Sequence, residues 1–220
     1  VRTRIKICGI TRLEDAEHAA RLGADALGLN FCPASPRYIS LETARAIVSA
    51  APVGVETIAV VVDLPAAKIR DILEATGIAA VQLHGQEPPS TVLELAPRRV
   101  LRGFRYRNDR LREDVEEYLA DCGRLGRRPV GILIDAFDSA GLGGTGRSWN
   151  WNELSLEHFS LPVFVAGGLN AHNVAAAIGS LRPYGVDVSS GVENAPGLKD
   201  PEKLRAFIDA VRTADRARDG

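Results

Sequence analysis

The chain has 220 residues, 45% hydrophobic and 25% charged, with 27 basic against 28 acidic side chains. This composition excludes a disordered chain, and a net charge of −1 excludes a broad basic surface for nucleic acid or anionic membrane as the main purpose. There is no apolar run of about 18 residues and no signal-like stretch in residues 1–25, and Cys8, Cys32 and Cys122 suit neither a disulfide framework nor a zinc site, so a cytoplasmic single domain over 1–220 is expected.

Dividing 220 by eight gives 27.5 residues, close to one strand-plus-helix unit. Short β-branched runs recur at that spacing: Arg4–Cys8, Ala26–Phe31, Glu56–Val62, Ala79–His84, Arg99–Phe104, Val130–Asp135, Val163–Ala166 and Val186–Ser189. Amphipathic stretches lie between them. Thr11 with Glu14 reads as a capping box, Pro65 and Asp200-Pro201 open helices, and Asn170 is placed to cap another. Gly23 and Gly77 stand where helices should end.

Strict strand–helix alternation predicts parallel strands joined by right-handed crossovers. The first strand leads into Cys8-Gly9-Ile10-Thr11, with no dinucleotide-binding glycine pattern. The expected fold is therefore α/β, a (β/α)8 TIM barrel, in which alternate strand residues point inward. Placing Ile5, Ile7, Val81, Leu83, Ile132, Ile134, Val186 and Val188 against the helices turns Lys6, Cys8, Gln82, His84, Leu133, Asp135, Asp187 and Ser189 inward.

That interior is too polar for a mere core, and several of its residues sit at strand C-terminal ends, where barrel enzymes place their chemistry. Each has a plainer reading. A strand cysteine is ordinarily a small buried hydrophobe, Asp135 can cap a loop, and His84 precedes the turn residue Gly85. Lys6 and Asp187 are expected to pair across the interior whatever the function.

Glycine-bearing turns follow the late strands: Leu142–Gly146, Ala166-Gly167-Gly168-Leu169-Asn170 and Ser189-Ser190-Gly191-Val192-Glu193. The last two stand where many barrels bind a substrate phosphate through backbone N–H groups. After the second strand, Phe31–Ile39 is stiffened by two prolines and carries Arg37, suited to clamping a carboxylate.

These blocks together resemble phosphoribosylanthranilate isomerase: Lys6–Thr11, Ser35–Ile39, Val81–Gly85, Asp135 with Gly143–Gly146, Gly167–Leu169 and Asp187–Glu193. The resemblance implies a cofactor-free, metal-free Amadori rearrangement of N-(5-phosphoribosyl)anthranilate in tryptophan biosynthesis, by a monomer or homodimer. It implies Cys8 as general base and Asp135 as general acid. His84, Asp187 and Arg37 would bind substrate, Arg37 through the anthranilate carboxylate. Gly144, Gly167, Gly168, Ser190 and Gly191 would take the phosphate. Two positions depart from the family pattern: Trp149-Asn150-Trp151 stands for Phe-x-Trp, and Ala166 where Ser is frequent.

The acid is expected to have a raised pKa through burial, and Lys6 to raise the thiolate fraction of Cys8. A histidine-pathway isomerase of the same reaction type would show two matching half-barrels and an aspartate on the first strand. A Schiff-base aldolase would need a lysine on the sixth strand, whereas Lys6 reads as the only strand lysine. A non-catalytic sugar-phosphate-binding barrel would not need both Cys8 and Asp135.

Overall fold

The structure is a computed structural model that describes residues 2–106, 110–135 and 154–219. Eight parallel strands close into one barrel in sequence order. They are β1 (Arg4–Cys8), β2 (Ala26–Asn30), β3 (Glu56–Val61), β4 (Ala80–Leu83), β5 (Arg99–Arg105), β6 (Gly131–Asp135), β7 (Val163–Ala166) and β8 (Gly185–Val188). Closure is made by β1 against β8, with Lys6 opposite Asp187. The helices among the described residues are α1 (Leu13–Leu22), α2 (Leu41–Ala50), α3 (Ala66–Thr76), α4 (Pro89–Glu94), α5 (Leu111–Arg124), α6 (Val174–Leu181) and α7 (Pro201–Asp219). None of them is long and apolar enough to cross a membrane.

Strand parity follows from what each face must bury. Ile5, Ile7, Leu27, Leu29, Val81, Leu83, Ile132, Ile134, Val186 and Val188 join the helices in one apolar core. The opposite parity fills the barrel interior in smaller clusters, Ala26 with Ile58 and Ala80, and Leu101 with Leu133, Ala166 and Phe164. Gly185 leaves room for the Phe164 ring, since a Cβ there would collide with it.

The caps follow expectation in part. Gly23 and Gly77 end α1 and α3 in the left-handed conformation at φ 99° and 79°. Asp200 caps α7 by accepting from the N–H groups of Glu202 and Lys203. The capping box does not form: α1 is entered through Arg12, and the Thr11 hydroxyl donates instead to the Gly197 carbonyl at 2.6 Å. Asn170 lies a turn ahead of α6, where its side chain accepts from His172 N–H and Asn173 holds the N-cap position.

One element left no signal in the sequence. After β8 a 3-10 turn (Ser190–Val192) leads into an antiparallel pair, β9 (Glu193–Ala195) and β10 (Leu198–Lys199), before α7 begins. This small hairpin returns Glu193 and Lys199 to the C-terminal end of the barrel.

Candidate active site

Each polar side chain at the C-terminal end is held by a specific neighbour. On β1, Lys6 is fully buried and its Nζ lies 2.8 Å from Asp187 Oδ1 on β8. A buried pair of this kind is tolerated only when its geometry is good, because both ions have left water. Burial alone would lower the Lys6 ammonium pKa, but Asp187 and then Cys8 outweigh it and hold it above the ordinary lysine value.

Cys8 is next on the same face, with Gly28 of β2 beside it. A Cβ on Gly28 would stand 2.8 Å from Cys8 Sγ and 3.0 Å from Lys6 Nζ, so glycine is required for thiol and ammonium to share the space. Although Cys8 keeps partial access to solvent, the surroundings of its sulfur are dry, and desolvation pushes the thiol pKa up. Lys6 pulls it down and Asp187 raises it again, leaving a net rise. Lys6 thus pulls the thiol toward ionisation, the direction expected of it, and the net rise comes first from desolvation and then from Asp187.

Across the barrel, Gln82 Nε2 lies 3.0 Å from Nδ1 of His84. An amide N–H donating there leaves the ring proton on Nε2, which is 3.3 Å from Asp135 Oδ2 at the end of β6. Gly103 on β5 makes room for the ring, since a Cβ there would strike His84 Nδ1. The Asp135 side chain is 22% exposed, partly buried at the rim, and His84 is 18% exposed.

The loop after β2 is fixed as much by side-chain bonds as by its prolines. Asn30 donates to Ser35 Oγ at 3.1 Å and accepts from Cys32 N–H at 2.8 Å, while Ser35 Oγ accepts from Arg37 N–H. The aliphatic stem of Arg37 crosses Gly9, where any Cβ would collide with it. Its guanidinium grips Glu193, Nε at 2.9 Å from Oε1 and Nη2 at 2.6 Å from Oε2. Lys199, a second strand lysine that the sequence reading missed, completes the cluster. Its Nζ donates to Glu193 Oε1 at 2.7 Å, Cys8 O at 2.6 Å and Ser189 O at 3.2 Å.

The glycine turns after β7 and β8 lie against each other. Gly167 and Gly168 adopt φ 98° and 63°, a region open to glycine, and Gly191 sits so close to the Leu169 carbonyl that no side chain fits. Ser190 and Gly191 open the 3-10 turn beside them, and the buried Ser189 Oγ has no hydrogen-bond partner among the described residues. Gly144 and the whole Leu142–Gly146 turn lie outside the described residues, as does the Trp149–Trp151 departure. Among the described residues no cluster of three His, Cys, Asp or Glu side chains is arranged to hold a metal.

Two cavities, of about 780 and 480 Å³, open at the other, N-terminal end, lined by Arg4, Glu56 and Arg99 in one case and by Arg2, Arg182 and Tyr184 in the other. Chemistry-bearing side chains, rather than volume, single out the C-terminal end.

A family model described as N-(5'-phosphoribosyl)anthranilate (PRA) isomerase matches residues 5–210. The N-(5'-phosphoribosyl)anthranilate isomerase of Pelobacter propionicus is 44% identical over 205 residues, 93% of each chain. Among solved structures, phosphoribosyl anthranilate isomerase from Thermotoga maritima superposes with a TM-score of 0.86 at 37% identity, covering 96% of this chain and 99% of that one. The isomerase of that organism is described as dimeric. A phosphoribosyl anthranilate isomerase in complex with reduced 1-(o-carboxyphenylamino)-1-deoxyribulose 5-phosphate matches with a TM-score of 0.82 at 37% identity and the same coverage.

Proposed function

Because the chain belongs to the N-(5'-phosphoribosyl)anthranilate isomerase family, we infer that Cys8 and Asp135 are the base and acid of its reaction. That reaction converts N-(5-phosphoribosyl)anthranilate to 1-(2-carboxyphenylamino)-1-deoxyribulose 5-phosphate, a step of tryptophan biosynthesis. The observation that carries the assignment is that Cys8 ends β1 and Asp135 ends β6, facing one barrel mouth.

In this reading Asp135 gives its proton to the furanose ring oxygen, and the ring opens to an iminium ion. Cys8 then takes the proton from C2, leaving an enolamine that tautomerises to the ketone. His84 Nε2, 3.3 Å from Asp135 Oδ2, stands beside that carboxyl at the mouth. A thiol held above its ordinary pKa is rarely ionised at neutral pH, but the thiolate, once formed, is a stronger base.

Arg37 receives the substrate carboxylate and Asp187, through Lys6, fixes the floor beneath the sugar. The N–H groups of Gly167, Gly168, Ser190 and Gly191 take the phosphate, with Gly144 as a further contact. Three cysteines without a disulfide fit a reducing compartment, which supports a cytoplasmic enzyme. A homodimer is the assembly we favour, supported by the dimeric Thermotoga relative and by Val53, fully exposed in the turn beside the larger N-terminal cavity. Light scattering on a sizing column reads it directly.

The test is the loss of fluorescence of the anthranilate adduct. Wild type should turn the substrate over, and Cys8→Ala and Asp135→Asn should each be severely impaired. Full turnover by both variants would overturn the residue assignment.

A further inference from the structure

A guanidinium has five N–H donors arranged as two usable edges. In Arg37 the side-on edge, Nε with Nη2, is taken by Glu193, and among the described residues nothing bonds Nη1. The end-on edge is therefore the one left open. We propose that Glu193, backed by Lys199, is a positioning residue that fixes the plane of Arg37 so that its end-on fork meets the substrate carboxylate. This rests on the assignment of Arg37 made above.

Three observations support the arrangement. First, Glu193 is not a loose occupant that an incoming carboxylate would displace. Its side chain is 4% exposed and that of Lys199 0%, so removing the carboxylate would strand a buried ammonium. Second, all three donors of Lys199 are used, on Glu193, the Cys8 carbonyl and the Ser189 carbonyl. The same ammonium thus ties Glu193 to the strand bearing the base and to the turn proposed for phosphate. Third, Arg37 and Lys199 are two cations against one anion. This excess of positive charge favours an anion at the open fork over a neutral group. Arg37 and Lys199 also hold the Glu193 carboxyl below the usual carboxylate range against the opposing effect of burial, so it stays charged at neutral pH.

Holding a long side chain in its bound orientation before the ligand arrives removes an ordering cost from binding. The cost for one such side chain corresponds to roughly 3–10-fold in affinity. The experiment measures dissociation constants by calorimetry for wild type, Arg37→Ala, Glu193→Gln and the double variant. Two ligands are compared, reduced 1-(2-carboxyphenylamino)-1-deoxyribulose 5-phosphate and its phenylamino counterpart lacking the carboxyl.

Glu193→Gln should weaken the carboxylated ligand roughly 3–10-fold, spare the other, and add little once Arg37 is gone. In turnover the loss should fall on KM more than on kcat. Equal loss with both ligands, no loss, or tighter binding of the carboxylated one would overturn the proposal. Should Arg37→Ala itself fail to discriminate between the ligands, the assignment of Arg37 falls, and this inference with it. Glu193→Asp keeps the charge beside Lys199 while withdrawing the fork by one methylene. It should show the same selective loss if Glu193→Gln does not fold.

Discussion

The two ends of this barrel are built from the same strands and differ in what those strands turn inward. Near the N-terminal end the interior holds Ala26, Ile58 and Ala80, which need nothing but contact. Near the C-terminal end it holds Lys6, Cys8, Gln82, His84, Asp135 and Asp187, each needing a named partner or a glycine that makes space. One strand thus passes from packing to chemistry within about two residues, roughly 6–7 Å of rise. Stability and activity can therefore be damaged separately, and the contrast can be tested at each end.

The largest effect belongs to the mouth. Cys8→Ala or Asp135→Asn should lower kcat about 10²–10⁴-fold, on the order of 3–5 kcal/mol of transition-state stabilisation, with little change in the urea midpoint. Next is Lys6→Met, which crosses the divide because it leaves Asp187 buried without its cation. Urea unfolding should show a loss of about 3–5 kcal/mol, and Asp187→Leu added to it should recover part of that loss. Unchanged stability of Lys6→Met would show that the pair is not a structural element at all.

Ile58→Ala at the other end should cost about 2 kcal/mol of stability, at the low side for a core truncation because Ile58 borders the N-terminal cavity. Its kcat/KM should stay at the wild-type value, and a fall in activity without a fall in stability would break the division between the ends.

A smaller effect is read by titration. Alkylation of Cys8 needs the thiolate, so its rate should rise with pH through an apparent pKa above the ordinary thiol range. Removing Lys6 takes away a pull toward ionisation and should move that pKa further up. A downward move would reverse the assignment of charges around the sulfur. The smallest effect is expected from Arg99→Ala, at the N-terminal rim. Its ion pair with Glu56 is largely exposed, and less than about 1 kcal/mol should be lost.

Most of the barrel was legible because strand parity is a local property. Ile5 and Ile7 flank Lys6, Ile132 and Ile134 flank Leu133, and the helix layer needs the branched residues. The inward set follows by alternation and includes most of the candidate site. Distant pairings were not legible in the same way. Nothing in the spacing links Arg37 to Glu193, 156 residues on, and β9 and β10 are too short for a period to show. The capping box failed because a tertiary acceptor, the Gly197 carbonyl, took the Thr11 hydroxyl. Gly28 and Gly103 left a readable signal, glycines at inward positions next to Cys8 and His84, whose meaning depended on knowing which strands are neighbours.

The bond from Lys199 to the Cys8 carbonyl spans 191 residues, and the Lys6–Asp187 pair spans 181. Both tie the first strand of the chain to segments synthesised near its end. During translation strands β2–β5 can associate early through their pairings with sequence neighbours. Cys8 acquires its final surroundings only after the last hairpin has left the ribosome. The surroundings of Cys8 are thus completed only with the closing event of folding, and a chain arrested before residue 199 would expose Cys8 as an ordinary, unprotected thiol.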